Sequence, residues 1–379
     1  MRAWALRLFA VLMAAFLLVT ACGQRPVRIG FAGPLTGPYS DLGVHGRNGA
    51  QLALEEINAL GGVAGRRLEL VVQDDGGTED GAVEAIAKLI QARVVSIIGH
   101  MTSAQSIAAL PVAQEAGMIL LSPTTSTPEL SGIKDVFFRI QPSTDTAAMV
   151  LAEYAALDMG LDRIASVRDE ANQGYSAPFH HAFAQEFQVH GGDIVLELTV
   201  KSRDYPDWLK VAEALNKIDP QAVLFILSAR DAAALAQAMH LKGQFLPVIS
   251  SGWAMTDELF TAGGRTVEKI IFAGHTFRQK PSEAYSRFEQ HYRERFGHWP
   301  SFAARYAYDA LHVMALGLER TQGSRNGLAE ALSKIRDYPG LDWPITIDAY
   351  GDTFGPIFVT MVRDGQFTTL KKIPKRQGQ

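Results

Sequence analysis

Two short stretches hold most of the polar side chains that this sequence could bring to bear at one place. His100-Met101-Thr102-Ser103 opens a helical pattern, and Ser122-Pro123-Thr124-Thr125-Ser126-Thr127-Pro128 follows a strand pattern. Both are rich in hydroxyls and neither holds a carboxylate. Hydroxyls donate to anions, and a helix start adds unpaired N–H groups and the positive end of a dipole. The combination suits an anion such as a carboxylate. Ser103 also fits a simpler role as a helix N-cap, worth about 1 kcal/mol. Composition by itself favours capping, and the recurrence after two consecutive strands shifts the balance back towards a ligand site.

The elements around these loops must bring them together. Val94–Gly99 (VVSIIG) is a continuous apolar run and Met118–Leu121 is another, as expected of strands covered on both faces in a parallel sheet. Ligands collect outside the carboxyl ends of such strands, which is where both hydroxyl loops lie. Upstream, Val27–Phe31 and Arg67–Gln73 read as strands, with helices from about Gly46 to Leu60 and from Thr78 to Arg93. Pro111 should kink or interrupt the helix Ser103–Gly117. The rhythm restarts after Pro142 with a helix near Asp145–Leu157. Strands Arg163–Val167, Ile194–Thr199, Val223–Leu227, Leu246–Ser250 and Lys269–Ala273 then alternate with helices. Three helices follow, Ser282–Phe296, Ala303–Glu319 and Asn326–Arg336. A hairpin closes the chain, Ile357–Val362 with Gln366–Thr369 around Asp364-Gly365. Two βα trains imply an α/β fold of two three-layer, Rossmann-like lobes. Lys371-Lys372 and Lys375-Arg376 read as a solvated tail.

Other constellations are poorer. Asp74-Asp75 are adjacent on a strand end and point to opposite sides, which fits loop capping better than a metal or acid/base pair. His180-His181 are neighbours within a helix and lack the i, i+4 spacing of metal ligands. Gly61-Gly62-Val63-Ala64-Gly65-Arg66 lacks the Lys-Ser/Thr of a phosphate loop. Neither a Gly-x-Ser-x-Gly elbow nor a His-Glu-x-x-His motif occurs. A Ser/His/Asp site assembled from distant residues, and hence a hydrolase, stays open. The formal charge of −4 leaves no basic surplus for phosphates, which disfavours nucleic-acid binding.

The first 21 residues carry Arg2 and Arg7 and then an uncharged run ending in small residues, the pattern of a secretory signal. The single cysteine, Cys22, excludes disulfides and cysteine-based metal sites in the folded body. Leu18-Val19-Thr20-Ala21-Cys22 resembles the bacterial lipoprotein signal, in which the cysteine is lipidated and becomes the mature N-terminus. Residues 23–26 would then be a tether, and the protein an extracytoplasmic lipoprotein in the periplasm or at the cell surface.

Several segments share a further resemblance. They are Gly33-Pro34-Leu35-Thr36-Gly37, Ala53-Leu54-Glu55-Glu56-Ile57-Asn58 with Gly61-Gly62-Val63-Ala64-Gly65-Arg66, Asp74-Asp75, Ile97-Ile98-Gly99-His100 with Ser103, and Ser122-Pro123 with Pro128-Glu129-Leu130. Weaker matches follow at Tyr175, Tyr308-Asp309-Ala310 and Asp364-Gly365-Gln366-Phe367. In this order, over nearly the whole mature chain, they resemble the leucine/isoleucine/valine-binding proteins of branched-chain amino-acid ABC importers. The resemblance implies a type I periplasmic-binding fold, with three crossovers and a ligand trapped by hinge closure. Lobe 1 would comprise 27–145 plus 276–350, lobe 2 would comprise 146–275 plus 351–371, and 372–379 would be tail.

Carried over residue by residue, the resemblance makes Ser103, beside Thr102, the holder of a ligand carboxylate. Thr125 would contribute a backbone group and Ser126 a hydroxyl. Tyr175 would reach across from the second lobe, and Leu42, with Tyr39 nearby, would meet the ligand side chain. One departure matters. The acid that receives the ligand ammonium in this family should follow Leu246–Ser250, where this chain has Ser250-Ser251-Gly252-Trp253. A second-lobe tyrosine expected near Ser228 is also missing. Either Asp145, Glu170 or Asp231 substitutes, or the ligand is not an α-amino acid. Trp253 and Phe302 could then wall an aromatic or aliphatic acid. The resemblance implies no enzyme activity, no cofactor and no metal. It implies a monomer whose partners are a small solute and an ABC permease, or, in a sensor, a membrane receptor.

Overall fold

Strand and helix patterns alternate from Val27 to Gly274, and the backbone resolves them into two sheets. The computed structural model describes residues 25–275 and 282–373. The export segment, Cys22 and residues 374–379 of the expected tail lie outside the described residues.

The first sheet takes β1 (Val27–Gly33), β2 (Leu68–Asp74), β3 (Ser96–Ile98), β4 (Leu120–Ser122) and β5 (Phe137–Arg139) in the order β2-β1-β3-β4-β5. All its pairings are parallel. β3 and β4 are buried along their whole length, as their unbroken apolar sequences require. Helices α1 (Ser40–Ala59), α2 (Glu79–Gln91) and α3 (Ser103–Glu115) provide the crossovers. The Thr78 hydroxyl accepts from the Gly81 N–H at 2.9 Å, and Glu79 and Asp80 occupy the first turn of α2, so both cap and dipole favour its start. Pro111 does not end α3, which continues to Glu115. It lies on the exposed side, where water can take the carbonyl that its ring frees.

The second sheet is built from α4 (Asp145–Glu153), β6 (Arg163–Asp169), α5 (Gln173–Val189), β7 (Asp193–Val200), α6 (Trp208–Ile218), β8 (Ala222–Ile226), α7 (Ala229–Leu241), β9 (Val248–Ser251), α8 (Asp257–Gly263) and β10 (Ile271–Gly274). The chain then returns to the first sheet. There α9 (Glu283–Phe296) and α10 (Phe302–Arg320) lie beside α1 and α11 (Leu328–Ser333) packs on α10, followed by a short pair, β11 (Tyr338–Pro339) and β12 (Pro344–Ile345). Finally β13 (Ile357–Arg363) and β14 (Gln366–Ile373) complete the second sheet, in the order β14-β13-β10-β9-β8-β6-β7. β13 runs antiparallel to β10. β14 extends through Lys371 and Lys372, which pair with Val359 and Phe358. These lysines belong to a strand and not to the solvated tail that their charge suggested; Lys371 lies 3.4 Å from Asp158.

Each sheet is covered on both faces, which yields two three-layer bodies with separate apolar cores. In the first body α1 and α10 approach closely, since a Cβ on Gly49 would lie 2.0 Å from the Ala304 carbonyl oxygen. The buried Arg305 guanidinium ties this body together through Asp342 at 2.9 Å. The chain crosses between the bodies after β5, after β10 and before β13. β5 brings the chain to the first crossing, where residues 140–144 lead into α4.

Candidate functional site

The carboxyl ends of β3 and β4 release the two hydroxyl loops side by side, and side-chain hydrogen bonds stitch them together. Ser122 Oγ donates to the His100 carbonyl at 2.6 Å and accepts from the Thr125 N–H at 2.9 Å. Thr125 Oγ1 meets Ser106 Oγ at 2.6 Å and the Thr102 carbonyl at 3.2 Å. Thr124 Oγ1 donates to the Met101 carbonyl. The N–H and the hydroxyl of Thr125 are therefore paired within the two loops.

The remaining hydroxyls are different. Thr102 is the residue before α3, yet its side chain makes no capping bond. Its Oγ1 is buried without a hydrogen-bond partner, and so is Ser126 Oγ. Ser103 is the first residue of α3 and not its N-cap; its Oγ accepts the Ser126 N–H at 3.4 Å. The hydroxyl proton of Ser103 is given to no acceptor among the described residues. Three O–H groups thus gather at the N-terminus of a 13-residue helix.

Thr102 and Ser103 line a narrow cavity between the two bodies. The first body adds Leu42, Met101, Thr124 and Phe302, the second adds Asn172, Tyr175 and Trp253, and Gln141 comes from the crossing segment. Six residues expected from sequence therefore converge: Leu42, Thr102, Ser103, Tyr175, Trp253 and Phe302. Met101 and Thr124 lie inside the flagged loops. Gln141 and Asn172 were not anticipated. Asn172 stands just before α5 and accepts the Ala104 N–H of α3 at 3.2 Å, so one body caps a helix of the other. Gly174 permits this approach, since a Cβ there would meet Ala104 N at 3.2 Å and Ile107 Cδ1 at 2.8 Å. Tyr175 and Trp253 stand edge to face, with centroids 5.5 Å apart and planes at 73°. Tyr39 lies 5.5 Å from Trp253 on its other contact.

The bodies are drawn shut by their own side chains. Tyr39 of the first donates its hydroxyl to Asp169 of the second. Arg203 donates to the Gly77 carbonyl, and Arg230 to the Pro38 carbonyl at 3.3 Å. Thr256 Oγ1 approaches Asp41 at 3.4 Å. Asp41 and Glu258 meet across the same seam. Burial first, and the Asp41 charge second, push the Glu258 carboxyl up to about 7; burial likewise raises Asp41. Burial also raises Asp231, with Asp169 adding repulsion.

The acids considered as partners for a ligand ammonium lie elsewhere. The Asp231 carboxylate lies against Ser202 Oγ while its own N–H donates to Ser228 Oγ at 3.3 Å, and Glu170 lies near Lys201 at 3.9 Å. Asp145 follows the crossing segment but turns into a separate hinge cavity of about 220 Å³, shared with Arg139, His275 and Asp352. None of the three lines the cavity beside Ser103. Asp74 accepts from Leu35 N, Thr36 Oγ1 and Gly76 N, the loop-capping role expected of it. Asp75 instead meets buried His100 at 2.7 Å, and His100 Nε2 has no hydroxyl partner to complete a Ser/His/Asp relay. Among the described residues no cluster of three or more His, Cys, Asp or Glu is placed to hold a metal.

The family model for periplasmic binding proteins matches residues 26–366. The chain belongs to this family. One relative is a Leu/Ile/Val-binding protein of Rhizobium johnstonii, 24% identical over 351 residues, which cover 92% of this chain and 94% of the relative. Among solved structures, a leucine-binding protein of Thermotoga maritima superposes with a TM-score of 0.84 at 26% identity, over 92% of this chain and 99% of that one. An ABC-transporter solute-binding protein of Rhodopseudomonas palustris, solved with 3,4-dihydroxybenzoic acid, has a TM-score of 0.82 at 23% identity, over 92% and 97% of the two chains. This periplasmic binding protein thus has the type I fold of branched-chain amino-acid ABC-transporter binding proteins, and its cleft lies where two sheets present their carboxyl ends. Among the described residues no helix is long and apolar enough to cross a membrane.

Proposed function

We propose that this periplasmic binding protein captures a small carboxylate-bearing solute in the cleft at Ser103 and delivers it to an ABC importer. The observation that carries the reading is the convergence of Thr102, Ser103 and Ser126 hydroxyls, all without an acceptor, at the N-terminus of α3. A carboxylate there would accept from them and from the helix N–H groups. Tyr175 and Trp253 close over it from the second body. In this reading lobe 1 is 27–145 plus 276–350 and lobe 2 is 146–275 plus 351–371. The three crossings form the hinge, and Cys22 carries a lipid that keeps the protein at the extracytoplasmic membrane surface. The protein acts by binding alone: a ligand that favours the shut form shifts an existing equilibrium by its differential affinity.

The test is calorimetric titration of candidate solutes into the wild type and into a variant combining Ser103→Ala with Tyr175→Phe. Losing hydrogen bonds to a charged group should weaken binding of a carboxylate at least ~10-fold. An unchanged affinity would place the site elsewhere. Recovery of the bound solute in chemically altered form, at a catalytic rate, would overturn the binding role in favour of an enzyme.

A further inference from the structure

The cleft combines an excess of hydroxyl donors with a lack of charge. Among the described residues that line it, none is acidic and none is basic. The carboxylates nearest in the fold are already engaged. Asp169 takes the Tyr39 hydroxyl, the Ser202 hydroxyl at 2.6 Å and the Ala171 N–H at 2.9 Å. Asp231 lies against the same Ser202 oxygen. Asp145 lines the other cavity. An ammonium entering the cleft would lose its hydration with no opposite charge to replace it.

The donor side is the reverse. Thr102 is 2% exposed and Ser126 is fully buried, and their hydroxyl oxygens have no partner. Thr102 and Ser103 line the cleft, and Ser126, outside the lining, adjoins them through its N–H to Ser103 Oγ; together they hold three hydroxyl protons beside a helix N-terminus, enough for the two oxygens of one carboxylate. The rest of the wall is apolar and broad: Leu42, Met101 and Phe302 from one body face Trp253 from the other. The amide oxygen of Gln141 is an unpartnered acceptor in this wall. It is a neutral dipole, suited to a hydroxyl or a water and too weak to replace a carboxylate against a full positive charge.

We infer that the solute is an apolar monocarboxylate without an ammonium group, its carboxylate held by Thr102, Ser103 and Ser126 and its tail set against Trp253 and Phe302. This rests on the binding role proposed above and narrows its ligand. An α-amino acid with the same side chain would be rejected because its ammonium finds no anion. Discrimination comes from a charge the protein leaves out, a repulsive element as effective as an added contact.

The experiment compares three probes on the full-length protein by calorimetry: benzoate, isocaproate and L-leucine. Isocaproate is leucine without its ammonium, so the pair isolates that one group. Benzoate and isocaproate should bind, with leucine weaker than isocaproate by about 100-fold or more, as expected for an uncompensated buried charge. Leucine binding as tightly as isocaproate would overturn the inference. So would the failure of both acids to bind. Native mass spectrometry of the protein as isolated then separates the two levels: a retained solute of another class would leave the binding role standing, and a chemically converted solute would remove that role as well. As a second arm, Gln141→Glu places a carboxylate in the wall. It should lower benzoate affinity and raise that of leucine, reversing their ratio by at least ~10-fold. A purely structural effect of the substitution would lower both alike, and that outcome would count against the inference.

Discussion

Closure should depend on pH through the carboxyls that meet across the seam. Glu258 on α8 faces Asp41 on α1, with Thr256, Arg230 and Asp231 around them. In the shut form the Glu258 carboxyl rises from 4.5 to about 7. When the bodies part, it returns to water and to its ordinary value. The shut form therefore holds a proton that the open form releases. Its stabilisation relative to the open form is fully present below about 4.5 and is lost as the pH rises through about 7. Asp41 and Asp231 are raised as well and act in the same direction. A displacement of this size corresponds to roughly 3 kcal/mol at full strength. Glu258 is only half-buried, and screening by water at its exposed side reduces this to about 1–2 kcal/mol. A ligand that binds the shut form should then bind roughly 5- to 30-fold more tightly at pH 5 than at pH 8.5. Calorimetric titration with a single ligand across that range measures the slope. Glu258→Gln keeps the size of the side chain and removes its proton, so most of the slope should vanish while affinity at high pH rises. A flat profile in the wild type, or an unchanged slope in the variant, would refute this account of the seam.

Two backbone approaches give further expectations. Gly49→Val drives methyl groups into the Ala304 carbonyl and should destabilise the first body by about 1–3 kcal/mol or more, read from urea unfolding. Gly174→Leu places a side chain between the start of α5 and the start of α3. It should hold the bodies apart, increasing the radius of gyration in small-angle scattering and weakening ligand binding, while the unfolding midpoint changes little.

The βα rhythm was legible because central strands of a parallel sheet are apolar throughout and their helices are amphipathic. The site loops were legible for a related reason, since hydroxyl-rich sequence after such a strand has one place to go. What could not be read was which hydroxyl would be left over. Thr125 and Ser126 are neighbours of like chemistry, and only the approach of Ser106, Ser122 and Thr102 commits the first and frees the second. β5 escaped notice because three residues, Phe137-Phe138-Arg139, are too few to show any period. That strand delivers Gln141 to the cleft, so missing it meant missing the residue. Asp145 illustrates a different limit: it stands four residues from Gln141 yet faces the opposite side of the hinge. Lys371 and Lys372 read as tail by charge, although backbone pairing to β13 decides their place. The bond from Tyr39 to Asp169 spans 130 residues of chain and had no sequence signal.

That bond and its companions at Arg203 and Arg230 carry a consequence for traffic at the membrane. They join the bodies through side chains outside the cleft, so part of the energy that holds the shut form belongs to the protein and not to its solute. Release of cargo would then require this clasp to break, and loosening it, for instance with Tyr39→Phe, should speed release at the expense of retention.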